Sequence, residues 1–301
     1  MAELVMVHGI GPEDESEQQL RDEWTHTLAR TLRNNGRAQA ADRLESRAVT
    51  ADMTYYRHLY QGYVPRDDFD IRVPAQIAAT SEEVARDIID NIRRHASDPG
   101  DRDEAADALE ELTVDAGPEQ GPLWPLRMLV SMMGRLGPIA RSGFAALSGT
   151  GAFHLGQVAA YLDDERVREG AIEAVLSRVT PDTKAVLAHS LGTVVAYEAL
   201  HRLDQPLPLL VTFGSPLGLR SIVHGRLRPQ PLRSPAHLKR WVNVADRDDF
   251  IVATLKLRKL LPVDDAVLER TRRVSNRDFA PHAATEYLSH WETVEPLAEL
   301  L

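Results

Sequence analysis

Short unbroken apolar runs alternate along this chain with stretches in which apolar residues recur every third or fourth position. Leu4-Val5-Met6-Val7 is the first such run, bounded by Gly9 and Gly11. With no polar side, it predicts a strand buried on both faces, as in a parallel sheet. Leu20, Trp24, Leu28 and Leu32 then recur every fourth residue among polar ones, which predicts an amphipathic helix that Gly36 is placed to end. Residues 46–56 read as a second strand. From 64 to 150 the pattern changes: an acidic, helix-prone stretch over 81–112 gives way to Gly117-Pro118 and Gly121-Pro122, then to an apolar segment over 124–147. Afterwards the first pattern resumes, with a helix over 157–179, a short buried strand over 184–189, a helix over 193–203, apolar strands over 207–213 and 241–244, and helical sequence over 283–301. The alternation predicts an α/β fold with one mostly parallel sheet and helices on both faces. Its core is formed by 1–63 and 151–301, and 64–150 is a helical insertion packed over it.

The densest chemical signal lies between the strand over 184–189 and the helix that follows. Ala188-His189-Ser190-Leu191-Gly192 has a serine at a strand-to-helix turn flanked two positions away by small residues, as a strained turn carrying a nucleophile requires. Such a turn points the Leu191 N–H, at a helix N-terminus, toward a developing oxyanion. His189 is the neighbour of Ser190, and adjacent residues on a tight turn point apart, so its expected role is structural. His8-Gly9-Ile10-Gly11 follows the first strand, where glycines let the backbone approach a reacting carbonyl. A dinucleotide fingerprint would also open this way. However, its third glycine position holds Asp14, and Glu13, Asp14 and Glu15 would repel a pyrophosphate.

A strand ending in His-Gly, the Ala188–Gly192 turn and Thr212-Phe213-Gly214-Ser215-Pro216-Leu217 on the next strand together resemble the lipase and esterase branch of the α/β-hydrolase superfamily. The match covers the chain to about Tyr56 and from about Gln157 onward, and leaves the insertion unexplained. The resemblance implies an α/β-hydrolase fold with a helical cap or lid over 64–150. It also implies a Ser190 nucleophile and an oxyanion hole in which Gly9 or Ile10 supplies an N–H beside that of Leu191.

A serine alcohol needs a histidine to take its proton, and that histidine needs a carboxylate to fix its tautomer. In the order Ser, acid, His, the stretch 243–252 leaves a strand into an acidic loop. It resembles the family's Asp-x-[Ile/Val]-Val loop, in which Asp249 takes the acid's place, with Asp246 and Asp248 as alternatives. His282 follows Ala280-Pro281 and precedes a helix, which matches the family's base position. His290 is the competitor, expected within the helical segment. His224 and His237 lie before the acid loop. Ser215 is followed by Pro216, which has no N–H to offer an oxyanion.

Composition narrows the rest. The 301 residues contain no cysteine, which excludes disulfide scaffolds, cysteine nucleophiles and thiolate metal sites. The net charge of −10 argues against nucleic acid, and the local basic stretch Arg226, Arg228, Arg233, Lys239 and Arg240 reads as a solvated face. No basic region precedes the first apolar run, so no secretory signal is expected. The segment over 123–147 is interrupted by Arg127, Arg135 and Arg141, which rules it out as a spanning helix. No histidine pair has H-E-x-x-H spacing, so no metal and no cofactor are expected. Met128, Met132 and Met133, with Leu129, Val130, Leu136 and Ile139, form an adaptable apolar surface, either an acyl-binding wall or cap-to-core packing. The expectation is a cytoplasmic serine hydrolase acting on a small-molecule or lipid-like acyl ester, with self-association into a homo-oligomer compatible with the composition. A thioesterase, amidase or phospholipase with the same triad is the alternative within enzymes, and an idle scaffold serving as a binding module the alternative outside them.

Overall fold

The structure, a computed structural model, describes residues 2–9, 15–63, 74–111, 151–264, 266–277 and 280–301. The first apolar run is β1 (Leu4–Val7), followed by α1 (Glu17–Asn34) and α2 (Ala38–Glu45), then β2 (Ala51–Thr54). Helices α3 (Ala75–His95), α4 (Pro99–Glu111), α5 (Gly151–Asp163) and α6 (Glu165–Leu176) lead to β3 (Ala185–His189) and α7 (Leu191–Leu200). The chain continues through β4 (Leu207–Phe213), α8 (Arg220–Val223), β5 (Leu238–Asp246), β6 (Arg272–Val274), α9 (Ala284–Leu288) and α10 (Trp291–Ala298). The apolar stretch over 124–147 lies outside the described residues.

Among the described residues all five strand pairings are parallel, in the order β2-β1-β3-β4-β5-β6. Register makes the reason for the continuous apolar runs explicit. Met53, Met6, Leu187, Val211 and Val242 align across five strands and face α1, α2, α9 and α10 in one buried cluster. The residues next along point the other way, because side chains alternate across a strand. Val7 and Ala188 there join a second cluster with α3 to α7. Both faces of the sheet are covered, so each is largely apolar, and the polar residues in the second row, Thr212 and Asn243, bond to each other at 2.8 Å.

α1 starts where Ser16 accepts from the Gln19 N–H at 3.2 Å and the Gln19 side chain accepts in return from the Ser16 N–H at 2.8 Å, a reciprocal cap. It ends at Asn34, with Gly36 at φ 74° turning the chain into α2. The single helix expected over 157–179 is two, because Asp164 accepts from the N–H groups of Arg166 and Val167 and begins α6 afresh. α3 belongs to the same buried cluster as the sheet through Ile77, Val84, Ile88 and Ile92. α7 is anchored at its far end by a buried ion pair, Arg168 to Glu198 at 3.2 Å. Arg168 also donates to the Tyr161 and Leu162 carbonyls, and Glu198 accepts from Tyr161 and the Arg228 N–H. With those partners satisfied, the buried charges are tolerable, and loss of either residue would leave the other uncompensated.

Three residues of the basic stretch meet carboxylates: Arg226 with Glu83 at 2.6 Å, Arg228 with Glu165 at 2.7 Å and Arg240 with Glu269 at 2.6 Å. Among the described residues no helix is long and apolar enough to cross a membrane.

Strand order locates a natural crevice. From β1 the chain runs outward to β2, then returns to the other side of β1 to form β3. The connection after β1 covers one face and that after β3 the opposite face. At such a switch point the loops leave in opposite directions and open a cleft beyond the carboxyl ends of the two strands. His8-Gly9 follows β1 and Ser190 follows β3, so both sequence signals sit at this one cleft.

Candidate active site

Ser190 is the only residue between β3 and α7, and its backbone has φ 52° and ψ −132°. That conformation costs an L-residue about 1–3 kcal/mol and persists only where the surroundings impose it. Here the Ser190 N–H donates to the Phe213 carbonyl at 3.2 Å, while the Ser190 carbonyl accepts from the Thr193 N–H at 2.9 Å and the Thr193 hydroxyl at 2.8 Å. Thr193 has thereby used its one proton, so the Ser215 hydroxyl, 2.8 Å away, donates to it. Ser215 also accepts from the Leu217 N–H. Its hydroxyl serves the loop.

The turn leaves no room beside it. A Cβ on Gly192 would overlap the Val7 carbonyl oxygen and lie 2.5 Å from that of His8. A Cβ on Gly9 would lie 2.5 Å from Ser190 Cβ and 3.1 Å from the Leu191 nitrogen. The two glycines let the loop after β1 press against the serine turn, bringing Gly9 beside the first N–H of α7. Gly192→Ala is expected to cost about 2–3 kcal/mol of stability, since the opposing atoms are backbone, read as a lowered unfolding midpoint in urea. Gly9→Ala sets its Cβ against Ser190 Cβ, the His189 carbonyl oxygen and the Leu191 nitrogen, none of them the far end of a flexible side chain, and is expected to lower the same midpoint. Equal and small effects on both would mean that the contact is slack.

His8 is buried. Its Nδ1 faces the Gly9 carbonyl at 2.5 Å, and because a carbonyl only accepts, Nδ1 carries the proton. Burial pushes its pKa down to about 4, so the ring is neutral, stacked on Tyr56 at 4.8 Å. The Tyr56 hydroxyl donates to the His8 carbonyl and holds the loop from below. Ile10 lies outside the described residues.

Side chains from two distant parts of the chain, His282 and Asp249, line up on Ser190. His282 Nε2 lies 2.9 Å from Ser190 Oγ, and His282 Nδ1 lies 2.8 Å from Asp249 Oδ2. Asp249 is fully buried, and Ser190 and His282 are nearly so. The carboxylate can only accept, so Nδ1 is the protonated nitrogen and Nε2 offers its lone pair to the serine hydroxyl. Asp249 Oδ1 accepts from the Ile251 N–H at 3.1 Å, and Oδ2 accepts a second proton from the Tyr287 hydroxyl at 2.7 Å.

The other acidic and basic candidates have different partners. Asp246 closes β5, and its carboxylate accepts from the Asp248 N–H at 2.8 Å and from the Asn276 N–H. Burial raises its pKa. Asp248 accepts from the Ser97 hydroxyl at 2.6 Å. His290 is not inside a helix: it is the cap residue at the break between α9 and α10, because the segment over 283–301 folds as two helices. His189 Nε2 lies 2.8 Å from the His282 carbonyl. Burial, then the nearness of His282, holds the pKa of His189 well below the usual range. It is therefore a neutral donor that fixes the backbone of His282, with its ring stacked on Phe213 at 5.3 Å.

Sequence reasoning did not single out Tyr287 or Asn91. Asn91, on α3, donates to the carbonyls of Phe250 at 2.7 Å and Val252 at 3.2 Å, and so ties the segment expected to be an insertion to the loop of Asp249. Nothing in its own neighbourhood of sequence marks it. Among the described residues no cluster of three or more His, Asp or Glu side chains is arranged to hold a metal ion. No family model matches the sequence, and no curated protein or solved structure matches it either.

Proposed function

We propose that the protein is a serine hydrolase of the α/β-hydrolase type that cleaves acyl esters through a covalent acyl-enzyme. The observation that carries this reading is the unbroken hydrogen-bonded chain Ser190–His282–Asp249, with distances of 2.9 and 2.8 Å, seated on a strained turn at the carboxyl edge of the sheet. A serine hydroxyl is a weak nucleophile until a base takes its proton. The base is held in one tautomer by a carboxylate with no solvent to share.

His282 Nε2 takes the Ser190 proton as Oγ bonds to the acyl carbon, and the carbonyl electrons move onto oxygen. The N–H of Leu191, at the positive end of α7, and that of Gly9 or Ile10 receive the oxyanion. Collapse breaks the acyl C–O bond, and the departing alcohol takes the proton from His282. Water then gives a proton to His282 while its oxygen attacks the acyl-enzyme, and the second collapse releases the acid and returns the proton to Ser190. Asp249 stabilises the imidazolium in both halves and keeps its own charge. In this reading α3, from the stretch expected to form the cap, braces the acid loop through Asn91. The apolar composition of 124–147 favours an apolar acyl chain, and the absence of cysteine accords with a cytoplasmic enzyme.

A fluorophosphonate probe tests the nucleophile directly. It should bond Ser190 Oγ to phosphorus with loss of fluoride, and mass spectrometry of the digested protein should find the adduct on the peptide containing Ser190. Wild-type protein that stays unlabelled at this residue defeats the proposal. A series of p-nitrophenyl esters should then show kcat/KM rising with acyl length if the cap provides an apolar wall.

A further inference from the structure

The hydrogen-bonded chain at the cleft does not stop at Asp249. Tyr287 OH lies 2.7 Å from Asp249 Oδ2 and receives the Asp246 backbone N–H at 3.1 Å. A backbone N–H only donates and a carboxylate only accepts, so the single phenolic proton has one direction in which to point, toward Oδ2. That same oxygen accepts from His282 Nδ1 at 2.8 Å. Tyr287 is fully buried, its ring packed on Phe213 at 5.7 Å and close to His189 at 6.2 Å. It stands five residues after His282, so one short segment supplies both the base and a brace on the acid. Burial, then the neighbouring Asp249, holds the phenol well above its ordinary pKa, and it stays a donor across the working range.

We infer that Tyr287 is a positioning residue for the proposed hydrolysis, acting through Asp249 by fixing Oδ2 opposite His282 and sharing the charge on that oxygen. This rests on the serine-hydrolase reading. Two donors on one carboxylate oxygen compete for its electron density, because hydrogen bonds to a charged acceptor are strong and each weakens the other's share. Without the phenolic proton, Oδ2 swings more freely, which misaligns Nδ1–H, and it also leans more heavily on His282, which stabilises the imidazolium. The first effect lowers the rate. The second moves the acid limb of the pH–rate profile to higher pH, since the imidazole must be neutral to accept the serine proton.

The charged neighbours do not blur this signature. On the strand side His282 faces His189, and beyond it His8; burial keeps both neutral through the range. From the acid loop, Asp246 and Asp248 face Asp249 and are held by their own donors. Burial raises the pKa of Asp246, and because that carboxyl is present in every variant compared, the signature is read as the displacement of the limb between variants. On α9, Glu286 is paired with Arg277.

The experiment compares wild type with Tyr287→Phe, which keeps the ring and its packing, in hydrolysis of p-nitrophenyl butyrate across pH. The expected result is a roughly tenfold lower kcat/KM, carried by kcat with KM little changed, and an acid limb displaced upward. Site-specific 3-fluorotyrosine at position 287, a stronger donor of nearly the same size, should displace the limb downward and so reports the hydrogen bond even if the phenylalanine variant folds poorly. A profile that stays fixed in both variants while wild type is active and labelled by fluorophosphonate overturns the role of Tyr287 alone. Wild type that is neither active nor labelled overturns the underlying hydrolase reading, and this proposal with it.

Discussion

Alanine at Ser190, alanine at His282 and both replacements together should all lower kcat for p-nitrophenyl butyrate by the same factor, on the order of 10⁶. The equality is the informative part. Ser190 Oγ and His282 Nε2 share one hydrogen bond of 2.9 Å, and neither does chemistry alone. The hydroxyl without a base keeps its proton, and the base without the hydroxyl has no acyl acceptor to activate. Once one is gone, the second has nothing left to lose. The residual hydrolysis expected is that of the proposed N–H donors, Leu191 with Gly9 or Ile10, which neither change removes. The measurement is a double-mutant cycle under saturating substrate, with unfolding midpoints to show that the variants are folded. Losses that multiply would show two independent contributions. An active His282→Ala protein would remove His282 as the base, despite its position.

Much of this site can be read from the chain because the physics that builds it is local. A parallel strand covered on both faces has to be mostly apolar, so β1, β3 and β4 announce themselves. A serine in a strained turn needs glycine where backbones touch, so Gly9 and Gly192 are visible too. What the chain conceals depends on distance. β6 has three residues, two of them arginines, and it forms because β5 offers it an edge, not because its own pattern demands a strand. α2 draws its buried face from Ala40, Ala41 and Leu44, too small a contribution to stand out in a periodicity. Tyr287 and Asn91 acquire meaning only when α9 and α3 arrive beside the loop after β5. The three aspartates of that loop look alike in sequence. Their environments differ in burial, Asp248 being the one left partly exposed, and in which donors reach them.

That difference makes the sharpest test of the acid. Asp249→Asn should lower kcat by about 10⁴, whereas Asp246→Asn should lower it by less than tenfold and chiefly cost stability. At position 249 three donors converge on one carboxylate: the Ile251 N–H on Oδ1, and His282 Nδ1–H with the Tyr287 hydroxyl on Oδ2. An asparagine has one oxygen and one NH₂ to put in their place. With its oxygen toward Ile251, the NH₂ opposes two donors and drives His282 into the tautomer whose Nε2 carries a proton and cannot take another. With its oxygen toward His282, the NH₂ opposes a buried backbone N–H. In either orientation the negative charge that stabilises the imidazolium is gone, and that loss is common to both. At position 246 the partners are two backbone N–H groups, of Asp248 and Asn276. Asparagine can satisfy one of them, and stranding the other costs about 1–3 kcal/mol without touching His282. The pair is read by kcat and by the urea midpoint on the same samples. If Asp246→Asn abolishes turnover while Asp249→Asn retains it, the carboxylate that orients His282 during catalysis is not the one that touches it here.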